Sequence, residues 1–141
     1  MFWVRLQLYL AALWWGSLTV VGAVVVPTLF MMLEPAALAG QVAARLFSAE
    51  CWLGLVSGLL LILAGRRTAG EGPYRPSAWV LLGMLAALLL EVAVTPRIVA
   101  RENLMFWHNV GTALYAVQWL AIGRWLWTWS VRERVSSSTA S

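Results

Sequence analysis

Charge is scarce in this chain, and so are the side chains that carry most soluble-enzyme chemistry. Only 11% of its 141 residues are charged, against roughly a quarter in an ordinary soluble domain, while 62% are hydrophobic. Mean hydropathy is +0.79. So little charge cannot cover a water-facing surface, which excludes a soluble globular fold and implies an integral membrane protein. Cys51 is the single cysteine, so no intramolecular disulfide and no Cys-pair metal site can form. His108 is the single histidine. GxGxxG, P-loop and HExxH motifs are missing, as is any Ser, His, Asp spacing that suggests a nucleophile. With one His, one Cys and two well-separated membrane carboxylates, a closed protein metal site lacks soft ligands. The expectation is a non-enzymatic protein with no resident cofactor. The net charge of +4 does not point to nucleic acid, because the arginines are spread along the edges of apolar segments instead of gathering in one patch.

What the sequence has in abundance is long apolar runs. The charges that bound them mark four segments, and the expected helices cover about 6–33, 36–65, 77–97 and 104–129. The first is too long for a signal peptide and ends in PTLFMMLEP, with no small-residue cleavage site. The fold class is therefore all-α, a single four-helix transmembrane bundle over residues 1–130, followed by a disordered cytoplasmic tail at 131–141. If the N-terminus is cytoplasmic, Arg5, Arg66, Arg67, Arg75, Arg124, Arg132 and Arg134 lie inside and Arg45, Arg97 and Arg101 outside. That asymmetry predicts an N-in, C-in topology, and Trp3, Trp79, Trp125, Trp127 and Trp129 fall at the same inner interface. Pro27 and Pro96 sit near the outward ends of the first and third segments, where each is expected to bend or end its helix. The shared device is compatible with an internal repeat of two helical hairpins.

LLLEVAVTPR, residues 88–97, places Glu91 inside an apolar run. Glu50, Glu91 and His108 each lie 16 residues from an inner-edge arginine (Arg66, Arg75 and Arg124). At ~1.5 Å per residue that is roughly 24 Å, in the outer third of a ~30 Å hydrocarbon core. Small residues recur every fourth position at Ala36, Gly40, Ala44 and Ser48 and at Gly54 and Gly58, and Gly83, Ala87, Glu91 and Thr95 make the same stripe with Glu91 in it. Such stripes ordinarily report close helix packing. His108, Gly111, Thr112, Tyr115 and Trp119 follow helical spacing on the fourth segment. The candidate site is an intramembrane polar cluster of Glu50, Glu91, His108, Thr112 and Tyr115, with Glu91 facing His108 directly or through water and Arg97 and Arg101 capping it. The bland alternatives are that Glu91 pairs with an arginine to fix the fold, that Glu50 is solvated near the interface, and that His108 is a hydrogen-bonded core residue. Cys51 reads as a small buried hydrophobe. The site is expected to take a partner, a lipid or a small solute; the chain's other partners are the bilayer and a homo-oligomer or membrane protein.

VVVPTLF, AGQVAARLF, VTPRIVA and above all FWHNVGTALYAV resemble the family of small four-helix membrane proteins whose eukaryotic member is transmembrane protein 205, a domain of unknown function in bacteria. The resemblance implies a fold and a membrane address, the bacterial inner (cytoplasmic) membrane, without an activity. The family pattern of the fourth helix has an Asn where Tyr115 stands here. WWG and PTLF also resemble, more loosely, haem- and copper-associated four-helix families that include the membrane protoporphyrinogen oxidases. That likeness implies the alternative of a haem or metal redox protein with His108 as axial ligand, although Tyr9 occupies the region where those families favour a histidine.

Overall fold

The computed structural model describes residues 1–69 and 74–138, with side chains described as far as residue 129. The described residues form four long helices, α1 (Phe2–Met32), α2 (Ala36–Thr68), α3 (Ala78–Val99) and α4 (Leu104–Ser138). No strand occurs among the described residues. Each helix runs further than the bounding charges suggest. Phe2 to Arg5 contain no breaker, so α1 begins at once. Arg66 and Arg67 fall in the last turn of α2, where cations complement the helix C-terminus, and Thr68 Oγ donates to the Gly65 carbonyl at 2.8 Å. With neither Pro nor Gly after Trp129, α4 continues to Ser138, through most of the stretch expected to be a disordered tail. Residues 139–141 lie outside the described residues.

α1, α2 and α3 are each long and apolar enough to cross a bilayer. Their outward faces carry exposed Leu13, Val20, Leu59, Leu63, Leu85 and Leu88, residues that suit lipid and not water. The chain is a multi-pass membrane protein. Around the bundle α1 packs between α2 and α4, and α3 packs between the same two neighbours, so sequential helices are also spatial neighbours.

Both prolines are absorbed inside continuous helices. Each proline lacks an N–H and crowds the carbonyl four residues back; the backbone answers by widening one turn into a π-helix, Val21–Val25 before Pro27 and Leu90–Val94 before Pro96. A threonine beside each proline donates to a carbonyl of that widened turn: Thr28 Oγ to Val24 at 2.7 Å and Thr95 Oγ to Leu90 at 3.0 Å. Val21 and Leu90, Val25 and Val94, and Pro27 and Pro96 are all 69 positions apart. The two hairpins therefore carry one backbone device in one register.

The core forms where Trp14 of α1, fully buried, reaches the middle of the bundle among Ala11, Leu18, Leu61, Val80, Ile122 and Trp125. The glycines of the expected packing stripes make this possible, but by admitting side chains more than backbones. A Cβ on Gly54 would lie 2.6 Å from Trp14 Nε1, one on Gly58 2.4 Å from Met84, and one on Gly83 3.0 Å from both Ile122 and Trp14. Between α3 and α4 the chain turns through Arg101 and Asn103, both left-handed at φ 56° and 36°. Asn tolerates that conformation; for Arg101 it is strained.

Candidate functional site

Polar groups in a span must be bonded within the protein or left against lipid, and this bundle uses short hydroxyls to bond them. On α2, Glu50 is buried and accepts a hydrogen bond from Ser17 Oγ of α1 at 3.1 Å. On α3, Glu91 sits in the π turn, and its Oε1 accepts from Ser48 Oγ of α2 at 2.6 Å. Its other oxygen, Oε2, is buried and has no hydrogen-bond partner. Cys51, also buried, lies within electrostatic reach of both carboxylates, so Glu50, Cys51 and Glu91 share one neighbourhood on the inward side of α2. Ser48 and Cys51 are three apart, and Glu50 is one residue from Cys51, which places all three along the seams α2 makes with α1 and α3.

The α4 side of the same level is closed by Tyr115. Its hydroxyl donates to the Leu18 carbonyl of α1 at 2.7 Å, and its ring meets Phe47 edge-on at 5.2 Å between centroids. Gly22 makes room for it, since a Cβ there would lie 2.8 Å from the ring. Deeper in the core Trp14 Nε1 donates to Gln118 Oε1 at 3.0 Å, and Trp119 Nε1 donates to Thr19 Oγ at 2.8 Å. Hydrogen bonds of this kind within a bilayer average about 0.6 kcal/mol and reach about 1.7.

Among the described residues no arginine neutralises either carboxylate. Arg97 is turned the other way, its guanidinium donating to the Ala93 carbonyl and lying 4.5 Å over the ring of Trp107. Arg101 is exposed in the turn before α4. Among the described residues no arginine forms an ion pair. The alternative in which Glu91 merely pairs with an arginine is therefore not the arrangement found.

The expected contact between Glu91 and His108 does not form. The buried stripe of α4 runs back from Trp125 through Ile122 and Gln118 to the half-buried Gly111 and Trp107. Gly111 packs against Val94, 3.2 Å from where a Cβ would sit. His108 and Thr112 each follow that stripe by one residue, a rotation of about 100°, and both are exposed. Thr112 Oγ turns back to the His108 carbonyl at 2.9 Å. An axial haem ligand inside the bundle needs an imidazole facing inward; the single histidine faces outward, so these residues do not fit a haem held in the core. Among the described residues no group of three His, Cys, Asp or Glu side chains is placed to hold a metal ion.

The family described as a domain of unknown function, DUF4149, matches residues 9–106. The chain belongs to that family. The match covers α1, α2 and α3, including Glu50, Glu91 and both π turns, and stops at the start of α4, so the FWHNVGTALYAV element lies almost wholly beyond it. No curated protein and no solved structure matches the chain. Of the expected site, then, Glu50, Glu91 and Tyr115 come together at one level. Thr112, His108 and Arg101 do not join them, and Arg97 is occupied elsewhere. Ser17, Ser48, Trp14 and Gln118 are the polar partners that sequence reasoning did not name as a site. Ser48 was visible in a small-residue stripe, and Trp14, Ser17 and Leu18 share one helical face at i, i+3 and i+4.

Proposed function

We propose that this protein is a non-enzymatic inner-membrane four-helix bundle, N-in and C-in, with α4 as its fourth span. Its function lies at the polar site of Glu91 and Ser48, with Glu50 and Tyr115 beside it. The site takes a partner, a lipid or a small solute that can satisfy a carboxylate in apolar surroundings. The observation that carries the reading is the buried, unbonded Oε2 of Glu91. A carboxylate oxygen shielded from water and left without a donor is costly, and such groups persist where a ligand or a proton completes them. Its place in a π turn supports the same reading, because those turns recur at functional positions. The likeness of VTPRIVA to the transmembrane protein 205 family agrees with a membrane address and assigns no activity. Conduction is disfavoured for a single chain, since four packed helices leave no room for a pore, and would require an oligomer.

The test separates function from fold. Glu91→Gln keeps the size and polarity of the side chain, so it should reach wild-type folded yield and yet reproduce the phenotype of deleting the gene. A Glu91→Gln strain that behaves as wild type under every condition where the deletion strain fails would remove Glu91 from the function.

A further inference from the structure

The two ends of the bundle differ sharply in charge. At the end that holds the N-terminus, the described side chains include Arg5, Arg66, Arg67, Arg75 and Arg124 and no carboxylate, leaving +5. At the other, Arg45, Arg97 and Arg101 stand against Glu34, Glu50, Glu91 and Glu102, leaving −1. All ten cations are arginine and none is lysine. Setting topology needs only positive charge; guanidinium adds a flat fork of donors that matches phosphate oxygens.

At the basic end the described arginines are presented outward. Arg5, Arg66, Arg67, Arg75 and Arg124 are exposed, and none is held by a carboxylate among the described residues. Arg67 and Arg66 are placed by a built corner between α1 and α2. The Arg67 guanidinium lies 6.0 Å over the Trp3 ring, and Gln7, itself buried, reaches Thr68 Oγ at 3.5 Å from the next turn of α1. Tyr74 closes the corner from the following loop, its hydroxyl 2.4 Å from where a Cβ on Gly65 would be, and Arg75 follows it. Exposed Trp3, Trp79 and Trp127 ring the same end, the depth at which an indole meets both acyl chain and headgroup.

From this we infer that the corner of Trp3, Arg66, Arg67 and Arg75 is a docking surface for the phosphate headgroup of an anionic phospholipid in the leaflet it faces. Arg66 and Arg67 on the last turn of α2, with Arg75 next to the Tyr74 that packs on Gly65, supply the donors, and Trp3 lies against the upper acyl chain. Zwitterionic lipid offers the same phosphate but brings a choline cation into a field already at +5, so the surface discriminates by headgroup charge. The inference needs only that the chain spans the bilayer. It stands apart from the Glu91 site.

Native mass spectrometry of the purified full-length chain, equilibrated with equimolar phosphatidylglycerol and phosphatidylcholine, reads the preference as a ratio of retained lipids. Phosphatidylglycerol should be retained over phosphatidylcholine, and the ratio should fall about fivefold for each guanidinium lost in R66Q and R67Q. It should stay unchanged in R45Q/R101Q at the opposite end. Should R66Q/R67Q misfold, the wild type decides in salt, because headgroup charge recognition collapses near 1 M, where the screening length is ~3 Å. No preference in the wild type, a preference insensitive to salt, or one lost equally in R45Q/R101Q overturns the assignment.

Discussion

Gly54→Ala should destabilise the bundle out of proportion to the one methyl it adds. The new Cβ would sit 2.6, 2.8 and 3.0 Å from Nε1, Cε2 and Cζ2 of Trp14. The indole cannot retreat freely, because it is fully buried and its Nε1 is bonded to Gln118 Oε1 at 3.0 Å across the bundle. Overpacking of this kind costs about 1–3 kcal/mol, and displacing the indole forfeits a membrane hydrogen bond worth about 0.6 kcal/mol. Alanine's better helix propensity returns about 0.5–1 kcal/mol. The net loss is about 1–3 kcal/mol, read as a shift in the unfolding midpoint on titrating sodium dodecyl sulfate into mixed micelles. Gly16→Ala is the control, since nothing lies within 4 Å of its added Cβ, and it should be neutral or stabilising. In a Trp14→Phe background, which removes both the colliding nitrogen and its bond, the cost of Gly54→Ala should shrink by about 0.5 kcal/mol or more, the coupling expected of residues in contact. If Gly54→Ala and Gly16→Ala shift the midpoint alike, Trp14 does not occupy the slot described and the account of the core is wrong.

Glu91→Leu should lower folded yield where Glu91→Gln does not, because leucine leaves Ser48 Oγ without its acceptor; equal yields by fluorescence-detected size exclusion would count against the Ser48–Glu91 bond. Ser48→Ala alone should cost about 0.6–1.7 kcal/mol by the same detergent titration. His108→Ala should leave both yield and stability within about 0.5 kcal/mol of wild type, as for a surface position, and a large loss would mean that the imidazole is packed inside. Reporter fusions after Trp129 and in the loop near Gly72 should read cytoplasmic and one near Glu34 periplasmic, and a periplasmic signal at Gly72 would overturn the topology.

Helix existence was written plainly in the sequence, because apolar runs bounded by arginine and glutamate have few other solutions in a bilayer. Helix ends were less so: Arg5 and Gly65 look like boundaries, but backbone propensity carries α1 and α2 past them. The level of Glu50 and Glu91 could be counted along the chain, since rise per residue is fixed. Rotation could not be counted as safely. His108 lies seven positions before Tyr115, almost two full turns, and so shares its side of α4 by spacing alone. What turns it outward is where α4 meets α3: the packed stripe there passes through Gly111 and Trp107, and no periodicity in one helix reveals where its neighbour sits. The serine partners of both carboxylates were hidden for a related reason. A serine in a small-residue stripe reads as packing until its cross-helix partner is known.

The shared register of the two π turns sharpens the case for Glu91. With the two hairpins superimposed at an offset of 69, Pro27 falls on Pro96, each π turn on the other, and Gly22 on Glu91. At 68, the offset that carries the start of α2 onto the start of α4, Phe47 falls on Tyr115 and Glu50 on Gln118. The two aromatics meet each other edge-on. Gly22 receives the Tyr115 ring, so the first π turn is plugged by a side chain whose hydroxyl is bonded. The corresponding turn in the second half carries a carboxylate with one oxygen left unbonded. A purely architectural role for these turns predicts two equivalent plugs. The symmetry breaks at Glu91, and it breaks toward the costlier residue, which packing alone does not explain; that asymmetry supports the proposal that Glu91 is kept for a ligand.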